Sequence, residues 1–247
     1  MDAINRDERM KKVTELLKSL YKQYHYSPKA WRELKALSGA LQQKIWKLTN
    51  LGGTRWLPHV ARALQTLMND YAVVVAHMEN TIESRSASAD MIGRAKQCVQ
   101  MLKDYSCLLF VVLVQDILKV LSCLSLKLQE DGITLPKALQ AFETALLMLT
   151  SLHSTAGESL EGFLQGPAEG QFHAVQLQSF SQESRDRFDR LKSQLLDAVI
   201  KSMRSCFNDL ENDKILQAVA RLVDPREWPT EEADLASYGA GQRARRV

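Results

Sequence analysis

The chain has few of the features that mark a chemical centre. Its four cysteines, Cys98, Cys107, Cys123 and Cys206, form no CxxC pair, and none stands at short spacing from a histidine, which argues against a zinc site and for reduced, buried thiols. The five histidines, His25, His59, His77, His153 and His173, are scattered singly. HExxH, GxSxG and GxxxxGK[ST] are all missing, so each histidine reads as a surface or capping residue. Charge of one sign is also lacking: 32 Lys and Arg against 29 Asp and Glu leave +3, too little to imply nucleic-acid binding from the bulk field. Such binding would need a local patch. The N-terminus MDAINRDERMKK has no apolar signal-like region, so an intracellular location is the expectation. The longest apolar run, Tyr105 to Val114, is interrupted by Gln115, Asp116 and Lys119 well short of the roughly 20 residues a membrane span requires, and it reads as a buried core helix.

What is present is helical periodicity. Val13, Leu16, Leu17, Leu20, Tyr21 and Tyr24 recur at three and four, with lysines on the other face reading as a solvated face. Ser27-Pro28 supplies a cap and a first-turn proline for a second helix through Trp31, Leu34, Leu41 and Ile45, running out near Asn50 and the Gly52-Gly53 pair. After Pro58 one long stripe runs from Val60 through Leu64, Leu67, Tyr71, Val75 and Met78 to Ile82, closed by the serine-rich loop 83–90. Helices follow at about Met91 to Leu102 and Tyr105 to Gln129, the second apolar nearly all round and so central. Thr134 caps a helix through Leu152, and the glycines and proline of 162–170 read as a loop. A long helix carries Phe180, Phe188, Leu195 and Met203, and a short one carries Ile215, Leu216, Val219 and Leu222. Beyond Pro229 the chain turns polar and reads as disordered. No alternating strand is evident, so the expected fold is all-α, an irregular multi-helix bundle.

Local departures carry the functional reading. In NLGGTRWLPHV, residues 50–60, two glycines end one helix, Thr54 caps the approach to the next, and Trp56 with Pro58 pins the crossing. In LVDPREWP, Asp224 and Glu227 form an acidic pair held between Pro225 and Trp228, read as a helix stop with a packed tryptophan. Arg243, Arg245 and Arg246 near the C-terminus could touch nucleic acid, although such a cluster is usually solvated charge.

These residues also carry a resemblance. The run from Glu8 to Leu37, the segment containing Thr54-Arg55-Trp56, the stretch from Asp104 to Asp131, and Asp224-Pro225-Arg226 stand in the order that resembles hAT-family transposases, especially vertebrate hAT-derived zinc-finger-type proteins. The similarity covers about residues 9–230. It implies a helix pair flanking an RNase H-like core over 1–50, a helical insertion domain over 51–212, a short helix and Asp-Pro-Arg return segment over 213–230, and a tail over 231–247.

In that family two aspartates and a glutamate bind metal ions for DNA strand cleavage. The aligned region begins after both aspartates and stops before the dimerisation segment, and the zinc-binding BED finger has no counterpart here. Glu227 lies upstream of the family's catalytic glutamate and takes no catalytic role.

The resemblance therefore implies a non-catalytic, domesticated module with no cofactor, no small-molecule substrate and no membrane association. It would be nuclear and would act by binding a protein or DNA. The alternatives are a piece of a larger transposase-like protein whose site is completed elsewhere, or a decaying transposon product. In a complete relative the first helices would pack on a sheet absent from this sequence. Exposed apolar surface at Leu17, Leu20, Tyr21 and Trp31, and hence self-association, is the expectation.

Overall fold

The structure is a computed structural model that describes residues 4, 6–47, 56–166 and 170–212. Among them are nine helices: α1 (Glu8–Tyr26), α2 (Pro28–Ala40), α3 (Trp56–Asn69), α4 (Tyr71–Glu83), α5 (Ala89–Lys103), α6 (Tyr105–Lys127), α7 (Leu135–Ser151), α8 (Glu158–Gln165) and α9 (Gln182–Asn212). The all-α, multi-helix reading therefore holds, with a single two-stranded hairpin, β1 (Gln171–Phe172) and β2 (Val175–Gln176), among the described residues.

Polar side chains set several helix starts. Asp7 accepts from the Arg9 amide, Ser27 from the Ala30 amide, Ser88 from the Met91 amide and Asp104 from the Cys107 amide, each satisfying a donor that the first turn leaves unpaired. Thr134 occupies the cap position of α7, but its side chain makes no capping bond.

Helix α6 is the axis. Fourteen of its 23 residues are buried, and it touches α1, α3, α5, α7, α8 and α9. The helix is long and apolar enough to cross a membrane, and most of it is covered by these neighbours. Its side chains join one connected core that extends from Met10 on α1 to Met203 on α9. At roughly 25 cal/mol per Å² of apolar area removed from water, this shared burial is the main force holding the bundle together.

Several expectations need correction. Leu17 and Leu20 are fully buried and Tyr21 and Trp31 are partly buried against the core, because α1 packs on α5 and α6 and α2 packs on α4. The apolar face expected to lie bare is covered by helices of this same chain. Helix α2 ends at Ala40, so Leu41 and Ile45 lie beyond it. The long stripe from Val60 to Ile82 is two helices meeting at Asp70, where φ of −97° and ψ of 9° depart from helical values although the backbone bonds to Thr66 and from Val74 are kept.

Gly162 to Gln165 belong to α8 rather than to a loop; the β-carbon position of Gly162 is open, and the core residues Leu160 and Phe163 supply the driving force. Cys123 and Cys206 are exposed, so only Cys98 and the mostly covered Cys107 fit the expected buried thiols. Phe180 precedes α9 rather than lying on it.

The hairpin was not foreseen. Its turn residues His173 and Ala174 both take positive φ, 48° and 62°, the left-handed pair that a two-residue hairpin turn demands, here without glycine. Phe172 holds it in place, packed against Tyr71 and Phe163. Past the hairpin, Gln178 donates to the Lys103 carbonyl and accepts from the Tyr105 amide, tying this segment to the α5–α6 joint.

Candidate functional site

Most residues singled out by the sequence lie outside the described residues: Thr54 and Arg55, Asp224, Pro225 and Arg226, and Arg243, Arg245 and Arg246. So do the short helix expected at 215–222 and the tail. Trp56 is the first residue of α3. The site is therefore built from other residues.

Charge is not evenly spread along the chain. Residues 1–50 hold 11 Lys and Arg against 5 Asp and Glu, whereas residues 104–170 hold 3 against 8. The bulk charge of +3 conceals this segregation. On α1, Lys11, Lys18 and Lys22 follow one another at seven and four residues along the exposed side, opposite buried Val13, Leu17, Leu20 and Tyr24. On α2, Arg32 and Lys35 are exposed three residues apart, and Lys44 and Lys47 follow in the segment after the helix.

Lys12, Lys18, Lys22, Arg32, Lys35, Lys44 and Lys47 make no ion pair among the described residues. An exposed cation without a carboxylate partner keeps its full charge available to a phosphate.

Aromatic rings stand among these cations. At the corner between α1 and α2, Tyr21 stacks on His25 with centroids 4.7 Å apart, and Tyr26, 72% exposed, meets both rings edge-on. Farther along, Lys44 Nζ lies 4.7 Å from the Trp46 ring centroid. The surface combines phosphate-seeking charge with ring faces and edges.

Beneath it, buried polar contacts fix the helices. The Tyr24 hydroxyl lies 3.3 Å from His77 Nδ1, and His77 Nε2 lies 3.6 Å from a Glu33 carboxylate oxygen. This links α1, α4 and α2. Burial lowers the His77 pKa, opposed by Glu33, and burial raises the Tyr24 phenol far above its ordinary value. The Glu33 carboxylate beside Nε2 favours the tautomer with its proton there, which leaves Nδ1 to accept from the Tyr24 hydroxyl.

Two buried aspartates complete the picture. Asp116, on α6, accepts from the Ser159 and Leu160 amides at 2.8 and 3.0 Å, so both oxygens cap the start of α8. Asp70, between α3 and α4, accepts from the Trp46 amide at 2.9 Å through Oδ2, while its buried Oδ1 has no hydrogen-bond partner among the described residues.

An opening of about 670 Å³ lies between α3, α6, α8 and the hairpin and is lined in part by the exposed Lys119–Glu158 ion pair, Cys123 and His173. These do not converge on one point. No group of three His, Cys, Asp or Glu side chains positioned to hold a metal ion occurs among the described residues.

The signal for these exposed cations was present in the sequence as the lysine side of the first helix, and α2, which packs on α1, adds Arg32 and Lys35. No family model matches the chain, and no solved structure matches it.

Proposed function

We propose that the chain is a non-catalytic, hAT-transposase-derived helical module that binds nucleic acid in the nucleus through the α1–α2 face. One observation carries the binding: exposed lysines and arginines without ion-pair partners are concentrated on two adjoining helices and the segment that follows, in a molecule of nearly balanced charge. The ancestry rests on the resemblance alone, through Thr54-Arg55-Trp56 and Asp224-Pro225-Arg226.

Mechanistically, the cations would replace counterions along a phosphate backbone. Affinity would then fall with salt at a slope set by the number of phosphates contacted. Sequence-independent binding is the expectation, because lysines at helical spacing position a backbone and read no base edge. Arg243, Arg245 and Arg246 would add to the same attraction.

Fluorescence anisotropy with a labelled duplex, titrated at several salt concentrations, tests this reading. Reversing Lys18, Lys22 and Lys35 to glutamate should weaken binding by at least about tenfold and reduce the magnitude of the salt slope by about one per lost contact. Equal affinity for the wild type and the triple variant would remove the α1–α2 face from the function.

A further inference from the structure

Five residues, Ser84 to Ser88, join α4 to α5, and three of them are serines. Their hydroxyls are not equivalent. Ser88 Oγ caps α5 by accepting from the Met91 amide at 3.3 Å, and Ser84 Oγ accepts from the Ser86 amide at 3.3 Å, so both serve the local fold. Ser86 reaches farther. It is exposed, and its Oγ lies 3.1 Å from Ser84 Oγ and accepts at 3.2 Å from Lys29 Nζ, a cation on α2 that is 57 residues away in sequence.

We propose that Ser86 is a phosphorylation site whose phosphate is held by Lys29, fastening the α4–α5 loop to the start of α2. In the reaction the Ser86 oxygen bonds to the γ-phosphorus of a nucleoside triphosphate carried by a protein kinase, the bond from that phosphorus to the diphosphate breaks, and the hydroxyl proton passes to the kinase's catalytic base. This chain supplies the acceptor and the cation that keeps the product in place.

Access favours this residue. Arg85, Ser86 and Ser88 are exposed, the backbone is extended at both ends of the loop, with ψ of 121° at Ser84 and 156° at Ser88, and the loop's internal backbone bond, from the Ala87 amide to the Ser84 carbonyl, is 3.3 Å long. A kinase can straighten it by releasing little. Charge favours the product: a hydroxyl offers Lys29 one neutral acceptor, whereas a phosphate offers three strong acceptor oxygens and nearly two negative charges.

Lys29 is also the outer end of a series of contacts. Its Nζ lies 3.8 Å from one Glu33 oxygen, the other Glu33 oxygen lies 3.6 Å from His77 Nε2, and His77 Nδ1 meets the Tyr24 hydroxyl in the core. A phosphate that draws Lys29 away leaves Glu33 to His77 alone. The modification is thereby felt where α1, α2 and α4 meet. This site stands apart from the nucleic-acid reading, and the two can fail separately.

Two measurements on the full chain test it. In cultured eukaryotic cells under phosphatase inhibition, tandem mass spectrometry should place a phosphate on Ser86, and Ser86→Ala should remove it. With phosphoserine installed at position 86 during translation, the Tm should rise by about 2–4 °C, and Lys29→Met should cut that rise to under about 1 °C. The ring resonances of His77 should move with the phosphate in the otherwise unaltered chain and stay still in Lys29→Met. Both substituted residues are exposed, so these variants keep the core. A Ser86 that carries no phosphate in cells would overturn the proposal. So would a Tm that the phosphate leaves unchanged, or a rise that survives Lys29→Met.

Discussion

Asp70 and Asp116 are two aspartates set into apolar helical stretches of the same chain, buried to the same degree, 3% and 4% exposed. One is fully employed and the other half idle. Asp116 projects from the axial helix to the start of α8, where both oxygens accept amides and the helix dipole adds its positive end. Asp70 lies between α3 and α4, anchors the segment before α3 by one bond, and keeps its second oxygen without a hydrogen-bond partner among the described residues. Asp116 joins two elements through both of its oxygens, whereas Asp70 ties a single segment through one.

Substitutions can sharpen the contrast, and the largest effect belongs to Asp116. Asp116→Ala strips two charge-assisted bonds and leaves two amides at the α8 start unpaired, so it should cost about 3–4 kcal/mol in chemical denaturation. A loss below about 1 kcal/mol would show that α8 needs no cap from α6.

Next is Gly157→Ala. A β-carbon there would lie 2.3 Å from Asp116 Cγ and Oδ2, with φ of −73° imposing no strain of its own. Relieving that clash should cost about 2–3 kcal/mol, and clearly less on top of Asp116→Ala, which removes Cγ and Oδ2 and leaves only the residue-116 β-carbon, 2.8 Å away. Additive losses would mean that the two residues do not act through one contact.

Asp70→Asn should change stability by about 1 kcal/mol or less at neutral pH, because it removes a buried charge while keeping the acceptor for the Trp46 amide. Its clearer signature is in pH dependence. Burial raises the Asp70 pKa above the ordinary 3.8, so the folded chain holds this proton more tightly than the unfolded chain does. The resulting stability is complete below 3.8 and is lost as pH rises through the folded value. Denaturation curves of wild type and Asp70→Asn should diverge across that acid window.

His77 runs the other way. Burial lowers its pKa from 6.5, so its contribution is present above 6.5 and is lost as pH falls through the folded value. His77→Gln should flatten the loss of stability in that range. A wild type equally stable on both sides of it would contradict this assignment.

Much of the fold was legible because helices announce themselves by apolar spacing. The first helix, the α5–α6 pair and α7 follow the positions of their leucines and valines to within a few residues. What the pattern could not show was decided at a distance. Asp70 sits within a clean stripe, and its bond from the Trp46 amide, 24 residues earlier, has no signal in the local spacing. Helix α8 was hidden by Gly162, a poor helix former that a mostly exposed position tolerates once Leu160 and Phe163 are buried. The hairpin has no glycine in its turn and therefore no local signature; it forms because Phe172 is captured by Tyr71 and Phe163.

The candidate site was less legible still. The lysines of α1 were visible as one helix face, whereas the exposure of Arg32, Lys35, Lys44 and Lys47 follows from the way α2 packs on α1 and α4.

The contact between Gly157 and Asp116 bears on how this sequence can drift over time. Residue 157 cannot gain a side chain while Asp116 keeps its place, and Asp116 cannot be shortened without uncapping α8. Neither position has a neutral single step open to it. Among descendants of this sequence the two should be inherited as a locked pair, and a lineage that changes one should carry a matching change at the other.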